Sequence, residues 1–97
     1  MGTYVVLASF TDQGIRGVKD TTRRADAVSE LAGRYGVKAR EFLWTLGRHD
    51  LVVIFEAPDD ASMTALGLAI CSAGNVRTET LKAFSKDEMN AILGRLP

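Results

Sequence analysis

His49 and Asp50 stand side by side in a 97-residue chain that has no other histidine. An imidazole titrates near neutral pH, and an adjacent carboxylate can raise its pKa and hold its ring. The pair is therefore a candidate general base or acid for a small ligand. Two facts weigh against it. Neighbours in a strand point to opposite faces, and a lone histidine in a hairpin turn is commonly solvated. Arg77 and Glu79 lie two residues apart in a β-rich run, hence on one face. There they could line a cavity, the arginine holding an anion. The same charges also suit an edge strand guarded against aggregation. Arg16 and Lys19 follow a polar loop and could clamp a ligand carboxylate. Tyr4, Phe10, Phe42, Trp44 and Phe55 could line an aromatic pocket, with Tyr4 as a further polar contact, although core packing is the commoner use of such side chains. Cys71, in an uncharged apolar stretch, reads as an inert buried thiol.

The rest of the composition narrows the chemistry. One cysteine excludes an internal disulfide and a cysteine zinc cage, and one histidine excludes a multi-histidine site, so no metal is expected. No Gly-rich phosphate loop or nucleophile elbow is present, so no cofactor is expected. Twelve basic against twelve acidic side chains argue against a nucleic-acid partner. The longest apolar runs, such as Leu51–Phe55, are too short for a membrane span, which needs about twenty residues. The start, Met1-Gly2-Thr3-Tyr4, lacks the charged region of a signal peptide, so a cytoplasmic protein is expected. With 46% hydrophobic and 25% charged residues, residues 1–97 read as one small globular domain. Such a short chain buries only about two-thirds of its unfolded surface and gains from a partner.

The elements that must position these residues follow from periodicity. Thr3–Phe10, Val37–Leu46, Leu51–Ala57 and Val76–Phe84 read as strands, the second and third joined by a turn at Gly47–Asp50. Thr11–Gly14 reads as a loop. A helix is expected from about Asp20 to Tyr35, capped by Thr21 or Thr22 and ended by Gly36. Its apolar stripe is Ala25, Val28, Leu31, Ala32 and Tyr35, which leaves Arg23, Arg24, Asp26, Glu30 and Arg34 facing water. A second helix starts at Pro58-Asp59-Asp60 and runs to about Ala73. Ser85 and Glu88 have capping-box spacing before a final helix with Met89, Ile92, Leu93 and Leu96 on one stripe. The order predicts a ferredoxin-like βαββαβ α+β fold, with one antiparallel sheet, helices on one face and an extra C-terminal helix.

Two strands are apolar on both faces. Val5 and Leu7 oppose Tyr4, Val6 and Ala8; Val52 and Ile54 oppose Leu51, Val53 and Phe55. The helices cover one face only, so something must cover the other. A second copy of the chain is the economical candidate, and the alternative is the last helix folded over the sheet. The stretch Ala61–Val76 carries no charge, which predicts a helix buried nearly all round. Its small residues suit either the C-terminal helix or a second oligomer contact. The stripe of the last helix is expected to be buried.

Four motifs in order, Thr11-Asp12-Gln13-Gly14-Ile15-Arg16, Leu46-Gly47-Arg48-His49-Asp50-Leu51-Val52, Glu56-Ala57-Pro58-Asp59-Asp60 and Gly74-Asn75-Val76-Arg77-Thr78-Glu79-Thr80, resemble the GYD domain family over essentially the whole chain. The resemblance implies a dimeric α+β barrel subunit, with a cavity between sheet and helices or between subunits, and brings no reaction with it. The hairpin keeps Gly47 and Asp50, while His49 takes the place of the signature tyrosine. The expectation is a homo-oligomer that binds, or acts without a cofactor on, a small apolar or aromatic ligand. The other expectation is a non-enzymatic assembly module.

Overall fold

β-Branched and aromatic residues carry the first strand, β1, from Gly2 to Phe10. The computed structural model describes residues Met1–Pro97. After β1 come helix α1 (Asp12–Arg16), a 3-10 turn at Val18–Asp20, and helix α2 (Thr21–Arg34). Strands β2 (Lys38–Trp44) and β3 (Leu51–Ala57) form the hairpin. Helix α3 (Asp60–Ser72), strand β4 (Val76–Ala83) and helix α4 (Lys86–Leu93) complete the chain. The four strands form one antiparallel sheet in the order β2-β3-β1-β4, the ferredoxin-like arrangement expected from the element order. No helix is long and apolar enough to cross a membrane.

Local chemistry explains most boundaries. Tyr35 ends α2, and Gly36 follows at φ +69. The Gly36 N–H donates to the Gly33 carbonyl and the Val37 N–H to that of Ala32, the paired bonds of a Schellman close. The α2 start differs from expectation: no threonine caps it. Asp20 occupies the cap position, but its carboxylate pairs with Arg23 instead. Asp59 caps α3 by accepting the Ser62 N–H at 2.7 Å, a bond that holds its pKa below the usual carboxylate range. Ser85 and Glu88 form the reciprocal capping box.

The segment expected to be loop at Thr11–Gly14 instead begins α1. Thr11 Oγ1 accepts the Gly14 N–H at 3.0 Å and donates to the Gly74 carbonyl at 2.5 Å. Gln13 Nε2 donates to the Ala73 carbonyl and to Asn75 Oδ1. A five-residue helix is too short to show a periodicity. It is held here by the α3–β4 turn, more than sixty residues away in sequence for Gln13.

The core lies between the sheet and α2 with α3. Tyr4, Val6, Ala8, Leu51, Val53, Phe55 and Ala57 point into it, alternating along β1 and β3 as expected. Ala32, Met63 and Leu66 close it from the helices. The opposite sheet face is uncovered. Val5, Leu7, Val52 and Ile54 form its half-buried centre, and Leu43 and Leu81 stay exposed on the flanking strands. Arg40 pairs with Glu56 at its edge and lowers the Glu56 pKa.

Two expectations about burial are corrected. α3 is not enclosed all round: Met63 and Leu66 are buried, but Leu68 on the other side is 68% exposed. An apolar helix laid on a sheet covers only one of its own faces. The α4 stripe is not buried either. Met89, Leu93 and Leu96 are exposed and Ile92 half-buried, because α4 makes no extended packing with the rest of the chain.

Candidate functional site

Alanines on facing helix surfaces leave a gap beneath α2 and α3. Ala25 and Ala27 on α2, Ala69 on α3 and Ala73 just after it are too short to fill the space above the sheet. The result is a half-open apolar cavity of about 270 Å³. Its floor is Val6, Ala8 and Phe10 of β1 with Leu51, Val53 and Phe55 of β3. Phe42 of β2 stands edge-on to Phe55, with ring centroids 6.5 Å apart. Three of the five aromatics proposed from sequence, Phe10, Phe42 and Phe55, therefore reach the cavity. Tyr4 and Trp44 lie outside its wall.

Four polar side chains interrupt this wall: Thr21, Arg24, Asn75 and Thr78. Thr21 Oγ1 accepts from Trp44 Nε1 at 2.9 Å, and Thr78 Oγ1 lies 3.2 Å from the half-buried Cys71 Sγ. Asn75 Oδ1 accepts from Gln13. Arg24 is the one charged residue in the wall, and this corrects its expected exposure to water. Its Nη2 donates to the carbonyls of Gly14 at 3.0 Å and Gly17 at 2.8 Å. The guanidinium carbon sits 5.8 Å from the centroid of Phe10. Its Nε is buried and has no acceptor. One signal was present in the sequence: Arg24 stands four and seven residues before Val28 and Leu31, at the edge of the apolar stripe.

The other candidates are spread over the molecule. Asp50 does not hold His49. Its Oδ2 accepts the Phe10 N–H at 2.7 Å, and its own N–H donates to the Ala8 carbonyl at 2.8 Å. The carboxylate thus fastens the hairpin to the end of β1. His49 is half-buried near this joint, with Nδ1 unpartnered, and does not line the cavity. Arg77 and Glu79 do share a face, but it is the uncovered sheet face, opposite Ser9 and Leu7. Arg16 and Lys19 are exposed on and after α1.

Tyr4 faces the helices at the far end of β1. Its hydroxyl donates to Asp60 Oδ1, and Lys82 Nζ lies 4.9 Å from its ring centroid. The bond to Asp60, aided by burial and by the charges of Asp60 and Asp59, pushes the phenol from 10.0 up to about 12. The folded pKa lies above the unfolded one. The linked stabilisation is therefore complete below pH 10 and fades as pH rises through about 12. Spectrophotometric titration should show a tyrosine ionising near pH 12, and Tyr4→Phe should remove that step. If the step lost in Tyr4→Phe lies near pH 10 instead, the Tyr4–Asp60 bond is rejected.

These features define a small ferredoxin-like α+β protein with one covered sheet face, one open face and an apolar cavity beneath its helices. The chain belongs to the GYD domain family, which matches residues 4–93. It is 34% identical over 94 residues to a Thermus thermophilus protein named glutamine synthetase and cystathionine beta-lyase binding protein, covering 96% of this chain and 99% of that one. Among solved structures, TTHA0845 from Thermus thermophilus is similar with a TM-score of 0.57 and 26% identity, covering 88% of this chain and 95% of that one. A feast or famine regulatory protein from M. tuberculosis, solved with L-methionine, is similar with a TM-score of 0.68 and 15% identity. That match covers 89% of this chain and 52% of the other, so the chain spans about half its length. At that identity the likeness is one of fold.

Proposed function

We propose that the protein is a homo-oligomeric binding protein for a small apolar or aromatic molecule held beneath α2 and α3. The cavity carries this reading. The cavity is open on one side, where Ala27 and Ala73 are exposed, and its apolar wall of about 270 Å³ leaves surface in water that an apolar ligand would cover. The space suits a single ring with a short side chain. Binding is preferred to catalysis because the proposed acid–base pair is parted: Asp50 serves the Phe10 N–H, and His49 is off the cavity wall.

Self-association is supported by the open sheet face. Its centre of Val5, Leu7, Val52 and Ile54 continues into exposed Leu43 and Leu81, and a patch of this kind marks an interaction surface. A second copy laid sheet against sheet covers both patches at once. A second reading, a protein-interaction module, is favoured by the exposed α4 stripe and by the relative named for binding two enzymes.

Calorimetric titration with indole and light scattering test the reading together. Saturable indole binding is expected, and Ala69→Phe, which fills the cavity, should abolish it. The expected solution mass is a multiple of 10.5 kDa. A mass of one chain would reject self-association. Absence of indole binding, or binding indifferent to Ala69→Phe, would turn the reading towards the interaction module.

A further inference from the structure

Resting on the cavity reading above, we propose that the ligand is a small amphipathic carboxylate, its apolar body against Phe42 and Phe55 and its anionic head at Arg24. The cavity wall contains no acidic side chain, and Arg24 is its one charge. The protein leaves that charge without a counter-ion. Asp20 pairs with Arg23, Glu56 with Arg40, and Asp50 accepts the Phe10 N–H. The acceptors it does offer are two neutral carbonyls, both bound to Nη2. Nε remains buried and unpaired. A buried donor without an acceptor is costly, more so on a charged group. Nε is sealed from the cavity, but Nη1 makes no hydrogen bond within the protein, and a carboxylate oxygen there supplies an acceptor and the opposite charge.

The local frame is built for that role. The bonds from Nη2 to Gly14 and Gly17 and the cation–π contact with Phe10 fix the guanidinium, so little side-chain freedom is left to lose on binding. Arg24 also lies near the N-terminal end of the 14-residue helix α2, where the helix dipole adds positive potential. The three other polar groups of the wall already have protein partners. Asn75 Nδ2 and the Thr21 hydroxyl hydrogen are left as neutral donors, and Arg24 alone adds a charge that favours an anion over a neutral polar ligand.

Calorimetry with the full chain at neutral pH and low salt, comparing 3-phenylpropionate with its amide, 3-phenylpropanamide, tests the proposal. The acid should bind about tenfold tighter or more, the scale of one charge-assisted hydrogen bond in a partly buried site. Arg24→Gln should abolish the preference, bringing acid and amide to similar affinities, while Arg24→Lys should keep part of it. Equal binding of acid and amide, with both lost in Ala69→Phe, would overturn the carboxylate proposal and leave the cavity reading standing. If neither compound binds, or if both bind undiminished to Ala69→Phe, the cavity reading falls and this proposal with it. Should Arg24→Gln fail to fold, the ratio of acid to amide on the unaltered protein still decides.

Discussion

Phe55→Ala is expected to cost about 3–5 kcal/mol of folding stability, the upper range for truncation of a buried aromatic. Phe55 is 1% exposed and sits at the centre of the sheet, paired with Tyr4 on one side and Ala39 on the other. It makes edge contact with Phe42 and floors the cavity. Neighbours cannot collapse into the space, because the site already adjoins a gap that the helix alanines leave open. The melting temperature should fall by about 12 °C or more at fixed protein concentration. Urea unfolding followed by the single tryptophan, Trp44, gives the free energy directly. Leu68→Ala is the matched control. Leu68 is 68% exposed on the other side of α3 and should cost less than about 0.5 kcal/mol within one subunit. A loss below about 1 kcal/mol for Phe55→Ala would place the middle of β3 outside the core.

Gly14→Ala should also destabilise heavily, by about 3 kcal/mol, the upper end of ordinary overpacking. A Cβ at position 14 would fall 1.9 Å from the carbonyl oxygen of Asn75 and 2.8 Å from its carbonyl carbon. Both obstacles are backbone, so no rotamer change relieves them. The chain must instead part α1 from the α3–β4 turn. That strains the bonds that Thr11 and Gln13 make to residues 73–75. Gly33→Ala provides the contrast. Its Cβ would meet nothing within 4 Å, and alanine in a helix gains about 0.5–1 kcal/mol over glycine. Denaturant midpoints of the two variants should therefore move in opposite directions. Similar midpoints would mean that α1 does not rest on the turn at Asn75.

How legible each feature was depended on the sequence distance of its causes. The two-faced alternation of Val5, Val6, Leu7 and Ala8, and of Val52, Val53, Ile54 and Phe55, showed β1 and β3 to be central strands. The structure bears this out, with one face under the helices and one uncovered. Gly36, Asp59 and the Ser85–Glu88 pair marked helix ends because a cap satisfies backbone groups within three residues of itself. Arg24 was misread because charge dominated the reading of a residue whose spacing put it beside Val28 and Leu31.

The amino-acid sequence by itself thus determined the strands, the main helices, their order and the ferredoxin-like sheet. Those follow from periodicity and capping, which act over a few residues. Only the tertiary structure decided the site. Asp50 meets the Phe10 N–H across forty residues, and that one contact separates it from His49. Arg77 and Glu79 could be assigned to a common face from sequence, but the register of β4 on β1 was needed to show that the face is the uncovered one. The cavity is a difference between volumes, set by how far α2 and α3 stand apart above Phe42 and Phe55. No local pattern encodes a space that four alanines, on two distant helices and the end of one of them, fail to fill.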